Sequence, residues 1–183
     1  KDIVSGDFYW FSKRDTRIII AAGDCTGHGV PGALMSMLGI SFLEEIVNNR
    51  GITESGLILN ELRNEIKRAL HQRGTADETK DGMDISLCVF DTSDNTIRYS
   101  GAYNNLYVIS NGVLNEYHAD RMPIGIYDLS DKEFASHDIT VSKGDMVYMF
   151  SDGYADQTGG PDNKKFKYPP FKSLLVEIHM LPL

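Results

Sequence analysis

The sequence predicts an α+β domain in which antiparallel strands form a sandwich of two sheets, with helices packed on the outside. Three observations predict it. Strand-like runs flanked by turn residues occupy residues 3–23 and recur from residue 83 onward; two segments with helical three-to-four spacing lie between these blocks; and no helix fits between the later strands, as a doubly wound parallel sheet would require.

Residues 3–11 and 17–23 read as two strands joined by the polar turn "SKRDT", an antiparallel hairpin. Residues 30–47 carry Val30, Ala33, Leu34, Met37, Leu38, Ser41, Ile46 and Val47 at helical spacing, which predicts one buried face made of these side chains. Pro31 is tolerated in the first turn, where its missing amide hydrogen has no partner to lose. After "NNRG", Thr53 is placed to cap a second helix to about residue 73, with Leu59, Leu62, Ile66, Ala69 and Leu70 inward. The polar stretch "QRGTADETKDG" reads as a loop. Met83, Ile85, Leu87 and Val89 then alternate with Asp84, Ser86 and Cys88, and "TIRYSG", "NLYVIS" and "VLNEYH" follow as short strands. Asn111-Gly112 is the strongest hairpin signal. Residues 137–141 and 144–153 add two more strands, the second ending on an acid, and residues 170–181 are helical.

With 183 residues, 42% of them hydrophobic, the chain has enough apolar material for one core and one domain. A net charge of −8 and a pI near 5.0, with no basic run interleaved with aromatics, disfavour nucleic acid as a partner. A phosphorylated substrate then needs a local positive charge such as a metal. Cys25 and Cys88 are too few for a disulfide framework and fit a reducing cytoplasm. No stretch reads as a run of about 20 apolar residues suited to a membrane span. The absence of an initial methionine and the stop just after a helical pattern read as a piece of something longer, residues 1–183 being one domain cut at both ends.

Asp7, Asp24 and Asp152 share one context. "SGD", "AGD" and "SDG" each put an aspartate beside a glycine at or near an apolar strand. Any one of them alone is an ordinary turn residue. Together they form a candidate carboxylate cluster, which repels itself unless a divalent cation neutralises it; oxygen donors without a histidine or cysteine set favour Mg2+ or Mn2+. In "GDCTGHGVPG", Gly27 and Gly29 permit backbone conformations closed to other residues and let a carbonyl or water approach an ion, although a tight strand-to-helix turn needs glycine anyway. His28 is a candidate acid or phosphate-steering group, or simply a helix-start residue. No imidazole and third group can be assigned to make Cys25 a nucleophile, and Ser151 lacks the nucleophile-elbow pattern. Metal-activated water is the simpler chemistry.

"SGDFYWF", "AAGDCTGHGVPGALMSM", "GMDISLCVFD", "SGAYNNLYVI", "MPIGIY" and "FSDGYADQTG" resemble, in order and across essentially the whole chain, the motifs of bacterial PP2C-like serine/threonine phosphatases of the SpoIIE/RsbU type. The resemblance implies an alpha-beta-beta-alpha sandwich, a centre of two Mn2+ or Mg2+ ions between the sheets, and hydrolysis of phosphoserine or phosphothreonine on a phosphorylated STAS-domain anti-anti-sigma protein. It implies Asp24 as the acid bridging the ions, the Cys25 carbonyl as a further ligand, Asp152 as the second core ligand, and Asp7 as a ligand directly or through water. Asp84 is implied as a supporting acid or a solvent-facing strand residue. Gly125 would shape the backbone near the groove, and His28 and Gly29 are candidates for contacting substrate or supporting the site. An upstream sensor or signalling domain in the same polypeptide is implied, with cytoplasmic placement, and homodimerisation and membrane tethering through that region stay open.

Three features depart from the family pattern. Tyr103 stands where many relatives have histidine, Lys167 where glycine is common, and the chain ends before the late aspartate pair, so the last core strand and one metal ligand are missing from it. Rival readings are a catalytically incomplete regulatory or binding module of the same fold, a metallohydrolase of small phosphate esters, and a purely structural domain in which the acids are dispensable.

Overall fold

The computed structural model describes residues 4–73, 80–127, 132–161 and 163–181. Strands β1 (Asp7–Arg14) and β2 (Arg17–Cys25) form the predicted hairpin, tighter than expected because the strands run on to a two-residue turn in which Asp15 takes a φ of 51°. Helix α1 (Gly29–Glu44) continues into a π-helical turn, Glu45–Asn49, and helix α2 spans Ser55–Ala69. Then come β3 (Met83–Asp91), β4 (Thr96–Ala102), β5 (Leu106–Ser110), β6 (Val113–Tyr117), β7 (His137–Thr140) and β8 (Met146–Tyr148), followed by the small hairpin of β9 (Thr158–Gly159) and β10 (Lys164–Lys165), and α3 (Tyr168–Ile178). Of the predicted loop "QRGTADETKDG", residues 74–79 lie outside the described residues.

The first sheet has the order β1-β2-β3-β4-β7 and the second β6-β5-β8, every pairing antiparallel. Three apolar clusters stack them into four layers. Ile19, Ala21, Ile85 and Leu87 face α1, the π-helical turn and α2, where Leu43, Ile46, Ile58 and Leu62 are fully buried. Cys88, Ile97, Tyr99, Leu106, Val108 and Ile139 fill the space between the sheets. Tyr107 and Ile109 receive Phe171 and Leu175 of α3 on the far side. The architecture is the expected α+β sandwich with outer helices. The second sheet covers β3, β4 and β7, while over β1 the same face of the first sheet is open and carries exposed Tyr9 and Phe11.

Two expectations about the helices are corrected. The buried face of α1 is Gly32, Met35, Ser36, Gly39 and Leu43, whereas Val30, Leu34 and Met37 are 73%, 56% and 66% exposed. Small residues let the helix approach the sheet closely: a Cβ on Gly39 would stand 3.0 Å from Met83 and 3.1 Å from Phe8. An apolar count cannot find such a face, because the helix is apolar all round. Residues Gly29–Asn49 are long and apolar enough to cross a membrane, contrary to the sequence reading, yet Met35, Leu43, Ile46 and Val47 among them belong to the core. Thr53 does not cap α2. Glu54 holds the cap position with no side-chain bond, and the Thr53 hydroxyl instead accepts a bond from Arg17.

Polar contacts tie the helices down. Arg14 donates to the Val47 and Asn48 carbonyls at 2.6 and 2.7 Å, satisfying backbone acceptors at the π-helical turn. The buried Glu65 carboxylate accepts from Arg50 at 2.6 Å and Arg68 at 2.7 Å, joining that turn to α2. Both arginines keep access to water, so removing the acid leaves no buried charge behind. Glu65→Ala is therefore expected to cost about 1–2 kcal/mol rather than the 3–5 of a fully buried pair, with Glu65→Gln recovering part of it, read as the urea midpoint.

Candidate metal centre and family

Pairing places Asp7 opposite Asp24, and Asp24 opposite Asp84. The three acids thus form a row across β1, β2 and β3 on the face toward the second sheet, at strand spacings of about 4.8 Å. Asp152 reaches this row from beyond β8: a Cβ built on its neighbour Gly153 would lie 4.0 Å from Asp7 Oδ2. The Asp152 carbonyl accepts the Asp156 amide at 2.9 Å, which curls the segment into a compact turn.

The local chemistry holds the row in place. Ser5 Oγ accepts the Asp7 amide at 3.0 Å, and Ser36 on α1 donates to the Gly6 carbonyl at 2.7 Å. Thr26 donates its amide to the Gly82 carbonyl at 3.0 Å and accepts the Gly82 amide on its hydroxyl at 3.0 Å, which staples the turn after Asp24 to the start of β3. Gly27 and Gly29 have φ of 89° and 64°, the left-handed region expected of them. Neither Thr26 nor Ser36 carries a sequence signal, since each acts through a partner far away in the chain.

His28 precedes α1 with extended backbone and no capping bond from its side chain, and it is exposed. The Cys25 carbonyl lies against Gly6, where a Cβ would stand 2.5 Å from it. Gly125 packs behind the start of β3, with room for a Cβ only 3.0 Å from the Asp81 carbonyl. Asp84 is half-buried in the row, and the rest of its strand face looks into the sandwich.

Electrostatics mark the row as unstable to full ionisation. Burial first, then the Asp7 and Asp152 charges, push the Asp24 carboxyl up to about 7, and burial with Asp152 pushes Asp84 up to about 6. Burial raises the Cys25 thiol to about 11, so it is no ready nucleophile. The folded chain keeps protons on Asp24 and Asp84 that the unfolded chain has released. Without metal, stability is therefore expected to fall as pH rises from about 4 to about 7. Thermal melting in chelator at pH 5 and 7.5 reads this, and Asp24→Asn should flatten the difference.

The donor set suits a hard divalent cation: carboxylate oxygens whose mutual repulsion such an ion relieves. As the side chains stand, no three histidine, cysteine or acidic groups among the described residues are grouped closely enough to hold one. The acids are neighbours in a sheet, and the ligand shell is not gathered.

The family described as Stage II sporulation protein E (SpoIIE) matches residues 14–182. The chain belongs to the SpoIIE family of PP2C-like phosphatase domains. The SpoIIE-family domain is similar to Phosphoserine phosphatase RsbU of Bacillus subtilis (strain 168), 27% identical over 97% of this chain and 50% of that protein. Among solved structures it resembles the SiaA-PP2C domain of Pseudomonas aeruginosa, with a TM-score of 0.86 and 30% identity over 100% of this chain and 70% of the other. RsbX in complex with magnesium shares the fold, with a TM-score of 0.60 and 16% identity over 98% and 82% of the two chains. The domain spans half the length of RsbU.

Proposed function

We propose that the SpoIIE-family domain hydrolyses phosphoserine or phosphothreonine on a protein substrate, a phosphorylated STAS-domain protein, with Mn2+ or Mg2+ held by Asp24, Asp7 and Asp152 and supported by Asp84. The observation that carries this reading is the register row Asp7–Asp24–Asp84 faced by the Asp152 turn. RsbU is by name a phosphoserine phosphatase, and RsbX has been crystallised with magnesium. Bound there, two such ions would supply water of lowered pKa and positive charge opposite the phosphoryl oxygens. The chain's own part would be to present three carboxylates from paired strands and a fourth from the Asp152 turn, near enough for an ion to draw them together. His28 and the α1 N-terminus follow shortly on β2, at the end of the sheet that carries Asp24.

Phosphate release from a phosphoserine-bearing STAS protein, in manganese, magnesium and chelator, tests the proposal. Turnover that needs metal is expected; turnover that survives chelator overturns the metal mechanism. One observation favours a second reading, a regulatory or binding module of the same fold: the acids are not gathered around a single point. That reading predicts binding of the STAS protein without turnover in either metal.

A further inference from the structure

Tyr103 follows directly on β4. The last pair of β3 and β4 is Ile85 with Ala102, so Tyr103 is next in line beside Asp84 and extends the row Asp7–Asp24–Asp84 by one position. Its backbone is left-handed, with φ of 56°, a conformation that a bulky side chain rarely adopts. Surrounding bonds impose it: the Tyr103 amide donates to the Asp120 carbonyl at 2.9 Å, the Asp120 amide to Gly101 at 3.0 Å, and the Asn104 amide to Ala102 at 2.7 Å. The Tyr99 hydroxyl donates to the Asn104 carbonyl at 2.6 Å, and the Asp120 carboxylate is itself held by Lys132 and the Ala135 amide. So much restraint leaves the ring 42% exposed, with its edge against Tyr127.

Two clefts meet at this ring. One of about 250 Å3 is walled by Tyr107, Phe150, Tyr168 and the Glu116–Lys172 ion pair; the other, about 470 Å3, by His118 and Arg121; Asn105 borders both. Tyr103 lines both clefts and is next in register to Asp84, so they open at the β4 end of the acid row. Asn104 also lines the first cleft, and its side-chain nitrogen is buried and without a hydrogen-bond partner among the described residues. A phosphate ester held at the acids needs neither cleft. Their size suits something longer, with aromatic faces for apolar contact and amide and charged groups for peptide polar atoms.

We propose that Tyr103 is a substrate-positioning residue, its strained turn presenting the ring to the polypeptide segment that flanks the phosphorylated residue in the two clefts. Strain retained at an exposed aromatic beside a candidate active site fits such a role. The inference rests on the phosphatase reading above, and two substrates separate them.

The test compares Tyr103→Gly and Tyr103→Phe with the parent chain on p-nitrophenyl phosphate and on a phosphoserine-bearing STAS protein. Tyr103→Gly is expected to raise KM for the phosphoprotein about tenfold or more while kcat/KM for the small ester stays within about twofold. Its Tm should be unchanged or higher, because glycine accepts the left-handed turn without strain. Tyr103→Phe keeps the ring and should restore the phosphoprotein KM to within about threefold of the parent. Equal losses on both substrates, or no change on the phosphoprotein, overturn the positioning role. A parent chain that hydrolyses neither substrate overturns the phosphatase reading, and this inference with it.

Discussion

Asp24→Asn is expected to abolish metal-dependent phosphate release, by about a thousandfold or more, while making the metal-free chain more stable at pH 7.5. The two effects have one cause. Asp24 is the central member of the row, flanked by Asp7 on β1 and Asp84 on β3, and it has the largest upward displacement of any carboxyl in the cluster, to about 7. At pH 7.5 its ionisation sets a third negative charge between two others in a partly buried site. An amide keeps the shape and removes the charge, so the repulsion disappears together with the central ligand. Allowing for its partial exposure, the gain is about 1–2 kcal/mol, or roughly 2–8 °C in Tm for a domain of this size. Phosphate release and thermal melting in chelator, on the same preparations, check both signs. A less stable Asp24→Asn, or one with unchanged turnover, would contradict the role assigned to the row. Adding Mn2+ or Mg2+ should stabilise the parent and leave the variant unmoved, because an ion that binds only the folded state adds to stability by mass action.

Gly32→Ala is the second large effect, and its sign runs against helix propensity. In an exposed helix interior that replacement stabilises by about 1 kcal/mol. Here a Cβ would stand 2.7 Å from the Gly27 carbonyl and 3.2 Å from the Gly6 amide nitrogen, both of them backbone atoms that have no rotamer to move aside. Relief requires α1 to lift from the turn that follows Asp24 and from the strand entry that carries Asp7. A net loss of about 2–3 kcal/mol is expected, with activity falling as well because both acids shift. Denaturant unfolding measures the first effect and metal-dependent turnover the second. Ala33→Gly, one residue along on a half-buried position, is the control: it should cost only the propensity term of about 1 kcal/mol and spare turnover.

Much of the molecule was legible from local pattern alone. The two hairpins, the order of strands and helices, and the Asn111-Gly112 turn follow from period and turn chemistry, and φ of 50° and 75° at those two residues are the values that turn demands. The acids at strand ends were visible for the same reason, as aspartates next to glycine beside apolar runs, and the motif order pointed to the family that the chain matches. Element ends were less legible: the strand read over residues 144–153 is regular only at Met146–Tyr148, because the rest bends to deliver Asp152.

What tertiary structure decided is of another kind. Which face of α1 is buried depends on how closely a helix can approach a sheet, and close approach selects glycine and serine rather than the apolar residues that a periodicity count scores. Asp84 had two readings as long as only its own strand was considered. The pairing of β2 with β3 puts it beside Asp24 and half-buried, a placement no local pattern carries, because register is a relation between segments some 60 residues apart. Tyr103 looked like a simple departure from a family pattern. Its left-handed backbone and its place at the meeting of two clefts come from bonds to Asp120 and from the packing of the second sheet, neither of which is written in the residues around it. The sequence by itself determined the order of strands and helices and the presence of acids at strand ends, since both arise from neighbours along the chain; the folded structure determined which carboxylates share a row and what stands next to them, since those depend on contacts between distant segments.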